Sequence, residues 1–365
     1  MSRLLTQAYN EVTENIMTIS VCLIVKNEEK VIERCLKSIA LFADEIIVTD
    51  TGSSDKTKEI TRKFTDKIFD FEWINDFSAA RNFCFSKATS DMIFWLDADD
   101  VVLKEDAEKI NKIKSEKNPA DTYMMKYYAA VDENYNPIFE YYRERLMKRC
   151  KYAHFNGFVH ECVSPFGKIV FSDIKVIHDK LESSSPTRNL DIYEYHIKNG
   201  AILNAREQYY YAKEFFYLGN YKKCIKELEK FLALKNIYRA DEWDALLSAY
   251  ICSEKIGQKE GEKFLFSALE KFGPDSKTLC FLGDYYRKNL AVKKAENYYK
   301  MAVFCEGENN GFFREKKYEF LEPCLRLVKL NYECGNYEKA KVYHNLCKKF
   351  YPSDKSVMYN DKFFS

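Results

Sequence analysis

Residues 94–100 read FWLDADD: an apolar, sheet-forming run passes straight into Asp97, Asp99 and Asp100. Three carboxylates in four positions repel one another and raise one another's pKa. Such a cluster persists where a cation or a set of strong donors faces it. Carboxylates are hard oxygen ligands and suit Mg²⁺ or Mn²⁺, which keep places for substrate phosphates and water. A cation held there would neutralise negative charge growing on a phosphate-bearing leaving group. A D-x-D alone is also an ordinary capped turn, so its setting decides. Asp100 is read as a cap for the helix that follows.

Other chemistry-bearing residues stand at comparable places. Asp50 closes EIIVTD (45–50), where a carboxylate accepts hydrogen bonds from a base or ribose, or from its own turn. Arg81 in FSAARNFC (77–84) can reach a diphosphate or pin the Asp97–Asp99 loop. HFNGFVHECV (154–163) carries His160 and Glu161, and KVIHDK (175–180) carries His178. Extended backbone puts His160 and Glu161 on opposite faces, so only one enters a shared crevice unless a turn intervenes. Glu161 is the candidate general base, His160 the second candidate, and His178 a third metal ligand or phosphate donor. Asp173 and Asp179 are rival bases; His154 and Asn156 stay unassigned.

Short apolar runs and helical segments alternate to position these groups. TISVCLIV (18–25), EIIVTD (45–50), KIFDF (67–71) and DMIFWL (91–96) read as strands. NEEKVIERCLKSIALF (27–42) reads as a helix capped by Asn27, with Val31, Cys35, Leu36 and Ile39 on one apolar stripe. A second helix capped by Ser53 or Ser54 runs to about Phe64, and a third covers 77–88. The charge run KEDAEKINKIKSEKN (104–118) is a solvated helix. This rhythm predicts an α/β domain with a mostly parallel sheet and helices on both faces. Ligands then bind beyond the carboxyl ends of the strands, where Asp50 and Asp97 should face one crevice.

After about residue 205 the strand patterns stop. GNYKKCIKELEKF (219–231) is echoed by GNYEKAKVYHNLCKKF (335–350). Gly219 and Gly335 lie about three periods of a helical hairpin apart, and Gly257 and Leu290 take the same turn position between them. A small residue follows on the second helix (Cys224, Gly261, Ala295, Ala340), and Pro274 and Pro352 stop two of the units. The expected organisation is an N-terminal extension over 1–16, an α/β domain over 17–205 and an all-α repeat domain over 206–365.

The 57 basic and 56 acidic side chains nearly cancel, which points away from a nucleic-acid protein. No apolar run is long enough to span a bilayer. The twelve cysteines form no C-x-x-C pair, and Cys35, Cys224, Cys280 and Cys347 fall within helical patterns, which predicts reduced thiols and a cytoplasmic location.

SVCLIVKNEE (20–29), IIVTDTGSSDKT (46–57), FSAARNFC (77–84) and FWLDADD (94–100), in that order, resemble the family-2 glycosyltransferases, which have the GT-A fold. The resemblance covers about residues 17–180. It implies a UDP-sugar donor, with the first strand and the turn after Asp50 holding the nucleotide base. Val25, Lys26, Asn27, Glu28 and Asp50 would then line the nucleotide site, and Arg81, Asp97 and Ala98 the diphosphate. Asp97, Asp99 and His178 would hold Mn²⁺ or Mg²⁺. Where the family often has a second acid, this chain has Thr51.

A GT-A domain followed by helical hairpins is similar to a subgroup that modifies peptides or proteins, including S-glycosyltransferases acting on bacteriocin Cys or Ser side chains. The resemblance implies inverting transfer of a hexose or N-acetylhexosamine to a Ser, Thr or Cys side chain. The peptide or protein acceptor would lie in the repeat-domain groove, and the repeats would also support a homodimer. An alternative acceptor is a lipopolysaccharide or other envelope glycan. An alternative of another class is a non-catalytic repeat scaffold, which would show a damaged D-x-D motif; here the motif is intact.

Overall fold

The computed structural model describes residues 16–131, 135, 137–179, 185–305 and 315–364. Nearly all of the expected N-terminal extension therefore lies outside the described residues. The chain divides into two units between Ala201 and Ile202.

The first unit is built on an eight-stranded sheet. Its strands are β1 (Ile19–Val25), β2 (Glu45–Asp50), β3 (Ile68–Asp70), β4 (Met92–Leu96), β5 (Asp100–Val101), β6 (Thr122–Val131), β7 (Pro137–Lys148) and β10 (Ile169–His178). They lie in the order β3-β2-β1-β4-β7-β6-β10-β5, and β8 (Phe155–Asn156) and β9 (Cys162–Val163) form a separate ribbon. Strands β3, β2, β1 and β4 run parallel. Their connections carry α1 (Ile32–Ile39), α2 (Thr57–Thr61) and α3 (Phe77–Ser86); α4 (Lys104–Ile113) follows β5 and α5 (Arg188–Lys198) ends the unit.

Both faces of β1, β2 and β4 are buried, so these strands read as continuous apolar runs rather than alternating ones. Val21, Leu23, Phe94 and Leu96 pack with Ile32, Leu36 and Ile39 of α1 and Ile110 of α4. Cys22, Ile93 and Trp95 pack on the other face with Cys84 and Phe85 of α3. The α/β alternation holds through β4. Beyond it the antiparallel pairs β4–β7 and β7–β6 extend the sheet, and β10 joins β6 in parallel. These three long strands carry His178, Arg143 and Arg145.

Two helix starts differ from the pattern-based expectation. Asn27 does not cap α1: it adopts left-handed backbone (φ 57°), and its Oδ1 accepts from Ser54 N at 2.8 Å. Ser53 likewise turns to the 27–29 loop, its Oγ accepting from Asn27 N at 2.9 Å. Helix α2 is one short turn because its N-terminal residues are spent on this loop-to-loop lock, in which Glu28 N also donates to Thr57 Oγ1 at 2.7 Å. Asp76, by contrast, caps α3, its Oδ1 accepting from Ala79 N at 2.9 Å.

The second unit is all helix among the described residues, apart from one 3₁₀ turn over Lys316–Glu319. The helices are α6 (Ala205–Tyr217), α7 (Tyr221–Leu232), α8 (Arg239–Ile256), α9 (Glu262–Phe272), α10 (Ser276–Lys288), α11 (Val292–Val303), α12 (Leu321–Glu333), α13 (Tyr337–Phe350) and α14 (Lys355–Asp361). The turns between α6/α7, α8/α9, α10/α11 and α12/α13 each hold a left-handed residue at the same place, Gly219 (φ 73°), Gly257 (65°), Leu290 (59°) and Gly335 (75°), and the α8/α9 turn adds Glu260 (65°). The repeat phase read from the sequence is thus the backbone phase. Cys224, Ala295 and Ala340 are completely buried at the matching place on the second helices. Gly261 lies against the Ser253 side chain, where an added Cβ would collide. All twelve cysteines are free thiols, and no described helix is long and apolar enough to cross a membrane.

Candidate active site

The carboxyl ends of β1, β2 and β4 open into a cavity of about 1180 Å³. Its walls come from the 24–31 loop, Thr51 and Asp55, the 73–77 segment, Arg81, the 97–99 loop, the 159–161 turn, His178 and one face of α5.

Arg81 sits at the centre. Helix α3 carries it, almost fully buried, to the end of β4. Its Nη2 donates to Asp97 Oδ1 at 2.7 Å and its Nε to Glu161 Oε1 at 2.6 Å. One guanidinium therefore ties the D-x-D loop to the candidate base. Trp95 lies beneath, with the guanidinium carbons of Arg81, Arg143 and Arg145 at 4.8, 4.8 and 3.9 Å from its ring centre. Burial alone would raise the Asp97 pKa, but Arg81, Arg145 and Arg143 outweigh it and hold the carboxyl well below the usual range.

Asp99 has the opposite surroundings. Burial, with repulsion from Asp97 and Asp100, raises its pKa against the opposing pull of His178. Strand β10 ends at His178, which pairs with Asp100 of β5. The His178 ring places Nδ1 3.5 Å from Asp99 Oδ1 and 3.3 Å from Asp100 Oδ1. Burial would lower the histidine's pKa; Asp100, Asp99 and Asp97 together raise it.

Asp100 does not cap the following helix, whose N-cap is Leu103. It is completely buried and fully engaged. Oδ1 accepts from Tyr127 Oη at 3.0 Å, and Oδ2 pairs with Arg145 Nη2 at 3.1 Å and accepts from Asp97 N at 3.2 Å. Ligand atoms of Asp99, Asp100 and His178 converge within 4.8 Å of one another, a different trio from Asp97, Asp99 and His178. Because Asp100 is saturated and Arg81 occupies Asp97 Oδ1, Asp99 and His178 are the groups best placed to take a divalent ion. The cavity wall also favours a cation: seven carboxylates (Glu28, Glu29, Asp55, Asp97, Asp99, Glu161, Asp191) face four cationic side chains (Lys26, Lys30, Arg81, Arg188). A diphosphate would meet net repulsion there unless a metal accompanied it.

His160 and Glu161 both line the cavity. The turn that permits this is visible in left-handed backbone at Gly157 (φ 100°) and His160 (φ 54°). The rival bases fall away. Asp173 is paired with Lys109 at 2.8 Å at an exposed edge, Asp179 pairs with Arg34, and neither lines the cavity. His154 meets Asn82 outside it.

Val25, Lys26, Asn27, Glu28, Ala98 and Thr51 line the cavity; Asp50 does not. The Asp50 carboxylate is enclosed, Oδ1 accepting from Gly52 N at 2.9 Å and Ser53 N at 2.8 Å. It shapes the turn that presents Thr51. Asp55 takes the wall position, with Oδ2 accepting from Glu29 N at 3.1 Å. Residues that pattern reading did not single out include Tyr127, Arg143, Arg145, Trp73 and the cavity face of α5. Alternate arginines in YYRERLM (141–147) are a sequence signal that could have found the β7 residues.

Residues 20–168 match the family model described as "Glycosyl transferase family 2". Over 234 residues the chain is 30% identical to the SPbeta prophage-derived glycosyltransferase SunS of Bacillus subtilis, covering 58% of this chain and 53% of SunS. A TPR repeat-containing protein of Synechococcus elongatus is 44% identical over 87 residues, 24% of this chain and 22% of its own length. The chain thus spans about half, or less, of these curated relatives. Among solved structures, Staphylococcus aureus TarS 1–349 in complex with UDP-GlcNAc aligns over 91% of this chain and 92% of its own, with 13% identity and a TM-score of 0.38.

Proposed function

We propose that the protein is a metal-dependent inverting glycosyltransferase that moves a hexose or N-acetylhexosamine from a UDP-sugar to a Ser, Thr or Cys side chain of a peptide or protein. The observation that carries this reading is the convergence of Asp99 and His178 beyond β4, beside Glu161 held by Arg81. The family-2 match and the SunS similarity support a nucleotide-sugar donor.

In this reading Asp99 and His178 would hold Mn²⁺ or Mg²⁺, which would supply positive charge to a departing diphosphate. Asp97 and Arg81 orient the diphosphate side, and Ala98 keeps the loop small there. The wall of Val25, Asn27, Glu28 and Thr51 takes the nucleoside, braced from behind by Asp50. Glu161 accepts the proton of the acceptor side chain, with His160 beside it. The repeat unit supplies a groove for the peptide and a surface for a homodimer, and the free thiols fit a cytoplasmic setting.

The test is UDP-sugar hydrolysis in the presence and absence of Mn²⁺. Hydrolysis should require the metal and fall at least about 100-fold in Asp99→Ala. Full activity in that variant would remove the metal role.

A further inference from the structure

The cavity is larger than the ~300–1,000 Å³ typical of a pocket for one small ligand, and its two halves differ in chemistry. The half between β1 and β4 is charged. The far half, bounded by the 73–77 segment, Val159 and α5, presents Trp73, Phe77, Val159, Ile192 and Tyr195 beside Asn75, Arg188, Asn189 and Asp191. Nothing in the donor chemistry described above uses this second half.

Its walls are built rather than loose. Helix α5 presents Ile192 and Tyr195 to the cavity, while Tyr193 and His196 fasten the helix to the loops opposite. Tyr193 Oη donates to Val159 O at 3.4 Å, and His196 Nε2 meets Asn75 O at 2.8 Å. The His196 ring stacks on Phe158 at 3.7 Å and 5°. Phe77 N donates to Phe158 O at 2.9 Å, which joins the two loops to each other. The slot also adjoins Glu161, which follows Val159 and His160 on the same turn.

Some of the polar groups in the slot are bonded to one another. Trp73 Nε1 donates to Asn75 Oδ1 at 3.1 Å, and Arg188 Nε donates to Asn189 Oδ1 at 3.3 Å. Trp73 and Phe77 meet edge to face at 4.8 Å, and the Arg188 guanidinium covers the Phe77 ring at 5.1 Å. An aromatic or large aliphatic side chain entering here would bury its apolar surface against these rings.

Building on the glycosyltransfer reading above, we infer that this slot is the acceptor subsite. It takes a peptide that places an aromatic or large aliphatic side chain next to the residue being modified. Trp73 and Tyr195 are its specificity-determining residues.

The experiment uses the full chain with Mn²⁺, UDP-glucose or UDP-GlcNAc, and a randomised peptide library with a fixed central Ser or Cys. Labelled peptides should be enriched about tenfold for Phe, Tyr, Trp or Leu beside the modified residue. Trp73→Ala and Tyr195→Ala should each erase the enrichment, while acceptor-free donor hydrolysis and UDP affinity stay within about twofold. Trp73→Phe should restore the preference, which separates contact from folding. Labelling without neighbour preference, or a preference unchanged in both alanine variants, overturns the inference. So does loss of UDP binding in Trp73→Ala, or labelling of oligosaccharides and never of peptides. Absence of Mn²⁺-dependent hydrolysis in the unaltered protein would instead fail the underlying glycosyltransfer reading.

Discussion

At the residue scale, Asp100 organises the acidic corner. It touches Tyr127, Arg145, His178 and the amide of Asp97, and so fixes both the histidine ring and the loop that carries Asp97 and Asp99. Carboxylates that orient a ligating histidine are worth about 10–100-fold in metal affinity. Asp100→Asn should therefore weaken Mn²⁺ binding by that factor in a calorimetric titration; an unchanged affinity would deny Asp100 this role. The D-x-D motif was legible because its types and spacing state a chemistry. The partition of labour within it was not. Three adjacent acids look alike in sequence, and only the arginines of β7, fifty residues on, separate the buried Asp100 from Asp97 and Asp99. Asp50 illustrates the same limit: its place at a strand end was readable, whereas the amides of Gly52 and Ser53 that turn it inward belong to a three-dimensional turn.

At the scale of elements, the parallel strands announced themselves because burial on both faces makes them uniformly apolar. Strands β6, β7 and β10 did not. TYMMKYYAAV and PIFEYYRERLMK mix tyrosines, charges and aliphatics, and their registers shift at Tyr123/Met124, Tyr128/Ala130 and Phe171/Lys175. Each shift breaks the period of two on which a strand is recognised. The helical hairpins were legible for the opposite reason: their turns recur at one backbone conformation. Leu290 holds that left-handed turn with a branched side chain that is 87% exposed. It gains little burial and carries a steric cost of about 1 kcal/mol. Leu290→Gly should accordingly raise the unfolding free energy by up to about 1 kcal/mol in urea titration, and a loss of stability would show that Leu290 makes a contact worth more than its strain.

For the whole molecule, one buried acid in each unit responds to pH with opposite sign. In the first, Glu45 bonds Ser20, Lys67 and Thr89 across β1, β2 and the start of β4. Burial opposes its ionisation, but these donors prevail and lower the pKa from 4.5 to about 2. Its contribution is complete above pH 4.5 and disappears as pH falls through that window. In the second unit, burial, with Asp244 adding to it, pushes Asp241 from 3.8 up to about 6 against Arg206 and Lys213. An acid with a raised folded pKa costs stability above that value and is relieved below it. Thermal melts should show Glu45→Gln flattening the acid loss of the first unit. Asp241→Asn should stabilise the second by about 2 kcal/mol at pH 7 and by nothing near pH 3.5. Equal effects of Asp241→Asn at both pH values would show that the carboxyl is not strained.

The ring of Trp95, wrapped by three guanidinium groups and wedged behind the D-x-D loop, has an optical consequence. Indole emission responds to nearby charge, and an ion arriving at Asp99 alters the balance among those arginines. In a protein with Trp73 and Trp243 replaced by Phe, the remaining fluorophore would report occupancy by the proposed divalent ion.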